Sequence, residues 1–155
     1  MKWQLEELTE DAIVSYLTSL CGGVRIVASW GCDDMQLPCC VVHVGYTSPI
    51  SDSADWHDPR ALSVEVAIMT EAIHTLAADG SIMITARQIN ADARSQVMDA
   101  LFVSDLLTEL IAQGTPDIAF SMAHFSNTSR SVDESKRVLI TTITGDVIAE
   151  PVEVS

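Results

Sequence analysis

Residues 130–151 read RSVDESKRVLITTITGDVIAEP. A charged, polar start turns without a break into a run, residues 137–149, that alternates at period two, the repeat of a β-strand and not of a helix. Residues 118–125, IAFSMAHF, alternate in the same way. The polar residues 126–135 between them complete the pattern of a hairpin with a long tip. Two strands in succession decide the class. Strands come in groups here instead of alternating strictly with helices, so an α+β fold is expected, with a mostly antiparallel or mixed sheet and helices packed on one face.

Upstream of the hairpin, Gly114 and Pro116 stop a helical region, residues 91–114. Its apolar stripes are Val97, Leu101 and Phe102, then Leu106, Leu107, Leu110 and Ile111, and their phase slips at Ser104. Ser104 and Asp105 are able to cap a second piece, so one kinked helix and two short helices both fit. Residues 70–90 mix a helical hint at Ala72, Ile73, Leu76 and Ala77 with a β-like SIMIT after Asp79 and Gly80, and read as an irregular connection. Residues 61–69, ALSVEVAIM, place Leu62, Val64, Val66 and Ile68 on one face of a strand. Residues 47–60 are rich in Ser, Asp and Pro and predict a long exposed loop. Residues 39–46, CCVVHVGY, predict a central strand with two apolar faces. Before it come a strand, VRIVASW, and an acidic loop, GCDDMQLP, closed by Pro38. The first helix is expected after an N-cap at Thr9, with Glu10 and Asp11 in its first turn. Its buried face is Ala12, Ile13, Tyr16, Leu17 and Leu20, and Gly22 and Gly23 end it. Residues 1–150 form one domain on this reading, and 151–155 a flexible tail.

Bulk composition limits the function. A chain of 155 residues that is 48% hydrophobic and 19% charged is one ordinary domain. At this length roughly 70% of the unfolded surface is buried, enough for stability without disulfides or metal. Eight Lys and Arg against 22 Asp and Glu give a formal charge of -14, which repels phosphate backbones and anionic membranes. With three Trp, two Tyr and three Phe, a stacking platform for single-stranded nucleic acid is poorly supplied. The first residues, MKWQLEELTEDAIV, lack the basic start and apolar core of a signal peptide, and no apolar run approaches the ~20 residues of a membrane span. A soluble protein that stays in the cell that makes it is expected.

Catalytic signatures are sparse. GxSxG, P-loop, HExxH, dinucleotide-binding glycine and EF-hand patterns are all missing, so no enzyme activity and no cofactor are expected. Cys21, Cys32, Cys39 and Cys40 show no CxxC pair and read as free, mostly buried thiols. A zinc site from Cys32, Cys39, Cys40 and His43 is the sharper alternative, and strand geometry weighs against it. Cys40 and His43 point to opposite faces of a strand, while Cys39 and His43 share one but stand ~13 Å apart. Asp52, Asp55 and Asp58 around His57 offer oxygen ligands to a divalent cation, although a solvated loop explains the same residues. His124 falls on an apolar strand face with Ile118, Phe120 and Met122 and reads as half-buried. His74 has no visible partner.

The order of features resembles the tail terminator, or tail-completion, proteins of long-tailed bacteriophages. The likeness is carried by a helix ending near LTSLCGG, a strand after LP (LPCCVVHVGY), an acidic loop holding a Trp (SDSADWHD), the strand LSVEVAIMT, the helical ARSQVMDALFVSDLLTELI and the closing SRSVDESKRVLITTITGDVIAEP. It covers nearly the whole chain. The resemblance implies a structural virion protein, made in the host cytoplasm, that assembles as a ring, usually of six, on the last ring of the tail tube. There it stops tube growth and presents a surface to the head-completion or stopper proteins, while DNA passes through the lumen without specific binding. Candidate contacts to neighbours are Asp33, Asp34, Met35, Asp52, Asp55, Trp56, Arg130, Asp133, Glu134, Lys136 and Arg137. Arg130, Lys136 and Arg137 flank Asp133 and Glu134, a charged arm for the acidic face of the next protomer or of a partner ring; a solvated hairpin tip is the other reading. Another neck or stopper connector, and a small metal protein using the aspartate loop, are the competing functions.

Overall fold

The computed structural model describes residues 5–29, 37–49, 59–72, 75–76 and 83–152. In chain order the elements are α1 (Leu5–Leu20), β1 (Arg25–Ala28), β2 (Cys39–Pro49), β3 (Arg60–Glu71), β4 (Thr75–Leu76), β5 (Met83–Ile84), α2 (Ala86–Leu101), α3 (Leu106–Gln113), β6 (Ile118–Asp133) and β7 (Val138–Pro151). Five strands make one sheet in the order β1-β2-β3-β7-β6, while β4 and β5 pair separately as a two-residue ladder. Only β1 and β2 run parallel within the large sheet; every other neighbour is antiparallel. The fold is α+β.

Alternation in β3 shows why the helices sit on one face. Leu62, Val64, Val66 and Ile68 are fully buried and Ser63 and Glu65 exposed. Across the ladder, Leu62, Val64 and Val66 stand opposite Val147, Gly145 and Ile143, so the same face of β7 is apolar. Ile13, Leu17, Val97, Leu101 and Leu110 from the three helices fill the space above it. Each large aliphatic side chain buried there contributes roughly 1.5–3 kcal/mol. Two polar ties fix the helices in place. The Tyr16 hydroxyl donates to the Ala100 carbonyl at 2.6 Å, joining α1 to α2. Asn90 donates through Nδ2 to Thr70 Oγ1 at 2.9 Å and accepts from Thr141 Oγ1 at 3.1 Å, pinning α2 to β3 and β7.

Several boundaries differ from the sequence reading. α1 starts four residues before Thr9, whose hydroxyl bonds back to the Leu5 carbonyl at 2.8 Å inside the helix, so Thr9 is no N-cap. Leu20, expected on the buried face, is 58% exposed. β2 continues through Thr47, Ser48 and Pro49, paired with Leu62, Ala61 and Arg60, so both ends of the stretch expected as a loop are strand. The middle strand is β3, with β2 next to it. α2 begins at Ala86, and α2 and α3 are separate helices.

The largest difference is in the hairpin. β6 runs on to Asp133, paired through residues that looked like a loop, and only residues 134–137 turn. Residues 126–131 are polar because β6 is an edge strand there, and all six are exposed, as is Val132 after them. Register shifts between Phe120 and Met122 and between Phe125 and Asn127 break the alternation, which turns Phe125 inward and leaves His124 exposed instead of half-buried. At the other end β7 holds Pro151, and the Val152 N–H donates to the Asp117 carbonyl at 2.8 Å, inside the stretch expected as tail.

Candidate functional site

The hairpin tip is a built turn. Asp133 Oδ1 accepts from the Ser135 hydroxyl at 2.7 Å and from the Lys136 N–H at 3.2 Å. These bonds favour the charged form, so the Ser135 hydroxyl first, then the Lys136 N–H, hold the Asp133 carboxyl below its usual range. Arg137 closes the turn at φ 53°, in the left-handed region, and its carbonyl accepts from the Ala72 N–H at 2.8 Å. Glu134, Lys136 and Arg137 are exposed around it.

Arg130 does not belong to this tip. It stands opposite Thr141, three pairs back from the end pair Asp133 and Val138. Thr141 faces α2 through its bond to Asn90, and cross-strand partners share a face, so Arg130 points to the helix side of the sheet. α2 packs on β3 and β7 and leaves this part of β6 uncovered. A groove of about 510 Å³ results, lined by Arg87, Asn90 and Arg94 of α2 and by Arg130, Ser131, Val132, Leu139 and Ile140 of the hairpin. A second hollow of about 450 Å³ shares Arg94 and Arg130 with it and adds Ser95, Met98, Thr128, Ser129 and Thr141. The expected charged arm is thus two features: a charged tip, and an arginine that helps line a groove.

Arg87 and Arg94 were not singled out by sequence reasoning, which started the helix at residue 91 and so separated them. The missed signal is TARQ, residues 85–88. Thr85 accepts from the Gln88 N–H at 3.1 Å and the Gln88 side chain reaches back to the Thr85 N–H at 3.4 Å, a capping box that sets the helix start. With the start at Ala86, Arg87, Asn90 and Arg94 fall at i, i+3 and i+7 on one face.

A Ser, His and Glu cluster lies at the end of the β1–β2 ladder. Glu10 is 2% exposed and accepts from the Val44 N–H and the Ser29 hydroxyl, both at 3.0 Å. Ser29 Oγ is 3.0 Å from His43 Nδ1, which is 3.6 Å from Glu10 Oε1. An activated serine needs the base at one ring nitrogen and the orienting acid at the other. Here both partners crowd Nδ1. The carboxylate instead satisfies a strand N–H where the β1 ladder has run out, which is a structural task.

Among the described residues no three His, Cys, Asp or Glu side chains are grouped to hold a metal ion. Cys39 pairs with Met69 and Cys40 with Ile68, so the two thiols project to opposite faces, and burial pushes the Cys40 thiol far up. Asp33, Asp34, Met35, Asp52, Asp55 and Trp56, along with Cys32, His57 and Asp58, lie outside the described residues. No helix among the described residues is long and apolar enough to cross a membrane.

No protein-family model matches the sequence, and no curated protein matches it. Among solved structures the fold is similar to that of a chain in the virion of a native gene transfer agent particle. The TM-score is 0.53 at 14% identity, over 91% of this chain and 93% of that one. At that identity the likeness is one of fold.

Proposed function

We propose that this chain is a structural virion protein and, within the virion, a tail terminator. The observation that carries the reading is the fold likeness, nearly end to end in both chains, to a chain in the virion of a gene transfer agent particle. It agrees with the element order by which the sequence resembles tail terminators. On this reading the chain has no catalytic task. Copies close into a ring, six being the number the resemblance implies, at the head-proximal end of the tail tube, stop its growth and offer the opposite surface to the stopper protein. A head-to-tail ring needs two different surfaces on each copy. The polar edge of β6 and the charged tip at Asp133, Glu134, Lys136 and Arg137 are available for contact. DNA slides through the lumen because a chain of formal charge -14 repels phosphate.

The test is electron microscopy of the purified protein mixed with growing tail tubes from its own source. One added ring at one end, with elongation arrested, is the expected result. Tubes that lengthen unchecked and carry no added ring would overturn the terminator assignment. Binding to portal complex and not to tube would identify a different neck connector.

A further inference from the structure

Arg87, Arg94 and Arg130, three of the eight basic residues of the chain, line one groove. Among the described residues none of the three makes an ion pair, and no carboxylate lines the groove or the hollow next to it. Helix stability does not account for Arg87, because a cation in the first turn of α2 faces the positive end of the helix dipole. Three like charges gathered this way repel one another until an anion arrives.

A matching surface lies elsewhere on the same chain. α1 packs on β1 and β2, the strands at the far end of the sheet order from β6. Its solvent side exposes Glu7 and Asp11 one turn apart. Glu7 stands in the first turn of α1, where the helix dipole favours an acid, but Asp11 one turn on repels it, and neither carboxylate pairs with a base among the described residues. Among its described residues, each copy therefore carries a positive groove without a carboxylate on one element pair and a negative stripe without a base on another. A chain of net charge -14 approaches a second copy favourably only where the local sign reverses. The groove reverses it.

We infer that the groove between α2 and β6 receives the Glu7 and Asp11 face of α1 from a second copy, head to tail. The inference rests on the ring reading above and names the contact that would close the ring. Val132, 56% exposed, and Leu139 beside it supply apolar floor for the docked helix. Because the two surfaces differ, the contact is heterologous and closes on itself when the rotation between copies permits.

Charge swapping tests it. One variant carries Arg94→Glu and Arg130→Glu, the other Glu7→Lys and Asp11→Lys, and sedimentation at low salt follows association across a wide concentration range. Wild type is expected to associate, each variant alone to associate at least tenfold more weakly, and the equimolar mixture to recover, since only unlike copies then match. Recovery in the mixture also shows that both variants fold. A Glu7→Gln, Asp11→Asn variant, which keeps side-chain size, is expected to weaken association as well. Variants that self-associate like wild type, or a wild type that stays monomeric at every concentration, overturn the contact. If Arg94→Glu, Arg130→Glu protein still forms tube-end rings, the groove assignment fails while the ring reading stands. If wild type forms no ring on tubes yet the charge-swapped mixture recovers, the contact stands and the ring reading fails.

Discussion

Asp133 is poised by the two residues that follow its own neighbour. Its carboxylate accepts from the Ser135 hydroxyl and the Lys136 N–H, and both bonds favour the ionised state. A carboxylate lowered in the folded protein adds stability above its unfolded value, near 3.8, and that contribution disappears as the pH falls through the lowered folded value. Replacing Ser135 by Ala removes the hydroxyl bond that lowers it most. The Asp133 carboxyl should then titrate closer to 3.8, read as an upward move of the midpoint at which its side-chain carbon shift changes in an NMR pH series. An unchanged midpoint would show that the turn backbone alone sets it. Since Asp133 lies at a tip whose next four residues are exposed, solvent screens its bonds and thermal stability at neutral pH should barely respond.

At the scale of elements, the β6–β7 pair depends on Gly145. It stands opposite Phe125, next to the second register shift, where the strands approach closely. A Cβ added at Gly145 would overlap the His124 carbonyl oxygen and lie 2.6 Å from Phe125 Cδ1 and 2.8 Å from Phe125 Cα. Backbone cannot give way cheaply, so Gly145→Ala should cost about 1–3 kcal/mol, the range for overpacking a well-filled interior. Chemical denaturation would read this as a lower midpoint at unchanged slope. The same pair shows what was legible in the sequence. Period-two alternation revealed β3, β7 and the start of β6, because each buries one face against helices. Residues 126–133 looked like a loop because an edge strand wet on both sides loses its apolar signal while keeping its ladder. His124 was misplaced for a related reason: one extra residue in a strand reverses every later side chain, and Ser121 carries no mark of it. The start of α2 was written in Thr85 and Gln88, but residues 70–90 read as an irregular connection: the β-like run before Thr85, where β5 does lie, masked the helix that begins right after it. Of the candidate contact residues, Arg130 was picked for its charge alone; that it shares a groove with Arg87 and Arg94 follows from strand register, which composition does not carry.

For the whole molecule the deciding quantity is charge. The formal value of -14 makes the chain a repulsive wall to DNA, as the conduit reading requires, yet one groove collects three arginines. These two facts predict opposite results when duplex DNA is offered. If the wall dominates, mobility-shift titrations should show no complex even as salt falls to about 20 mM, where screening is weak and any attraction is at its strongest. If the groove is a phosphate site, a complex should appear at low salt and weaken with added salt at a log–log slope near -3, since each neutralised phosphate contributes about -0.9. The expected outcome is the first, because the groove holds only three cations and the potential of the whole chain opposes any polyanion that approaches it. A slope near -3 that flattens in Arg94→Ala would reassign the groove from a second copy's carboxylates to the phosphates of passing DNA, and the lumen would then grip the genome instead of letting it slide.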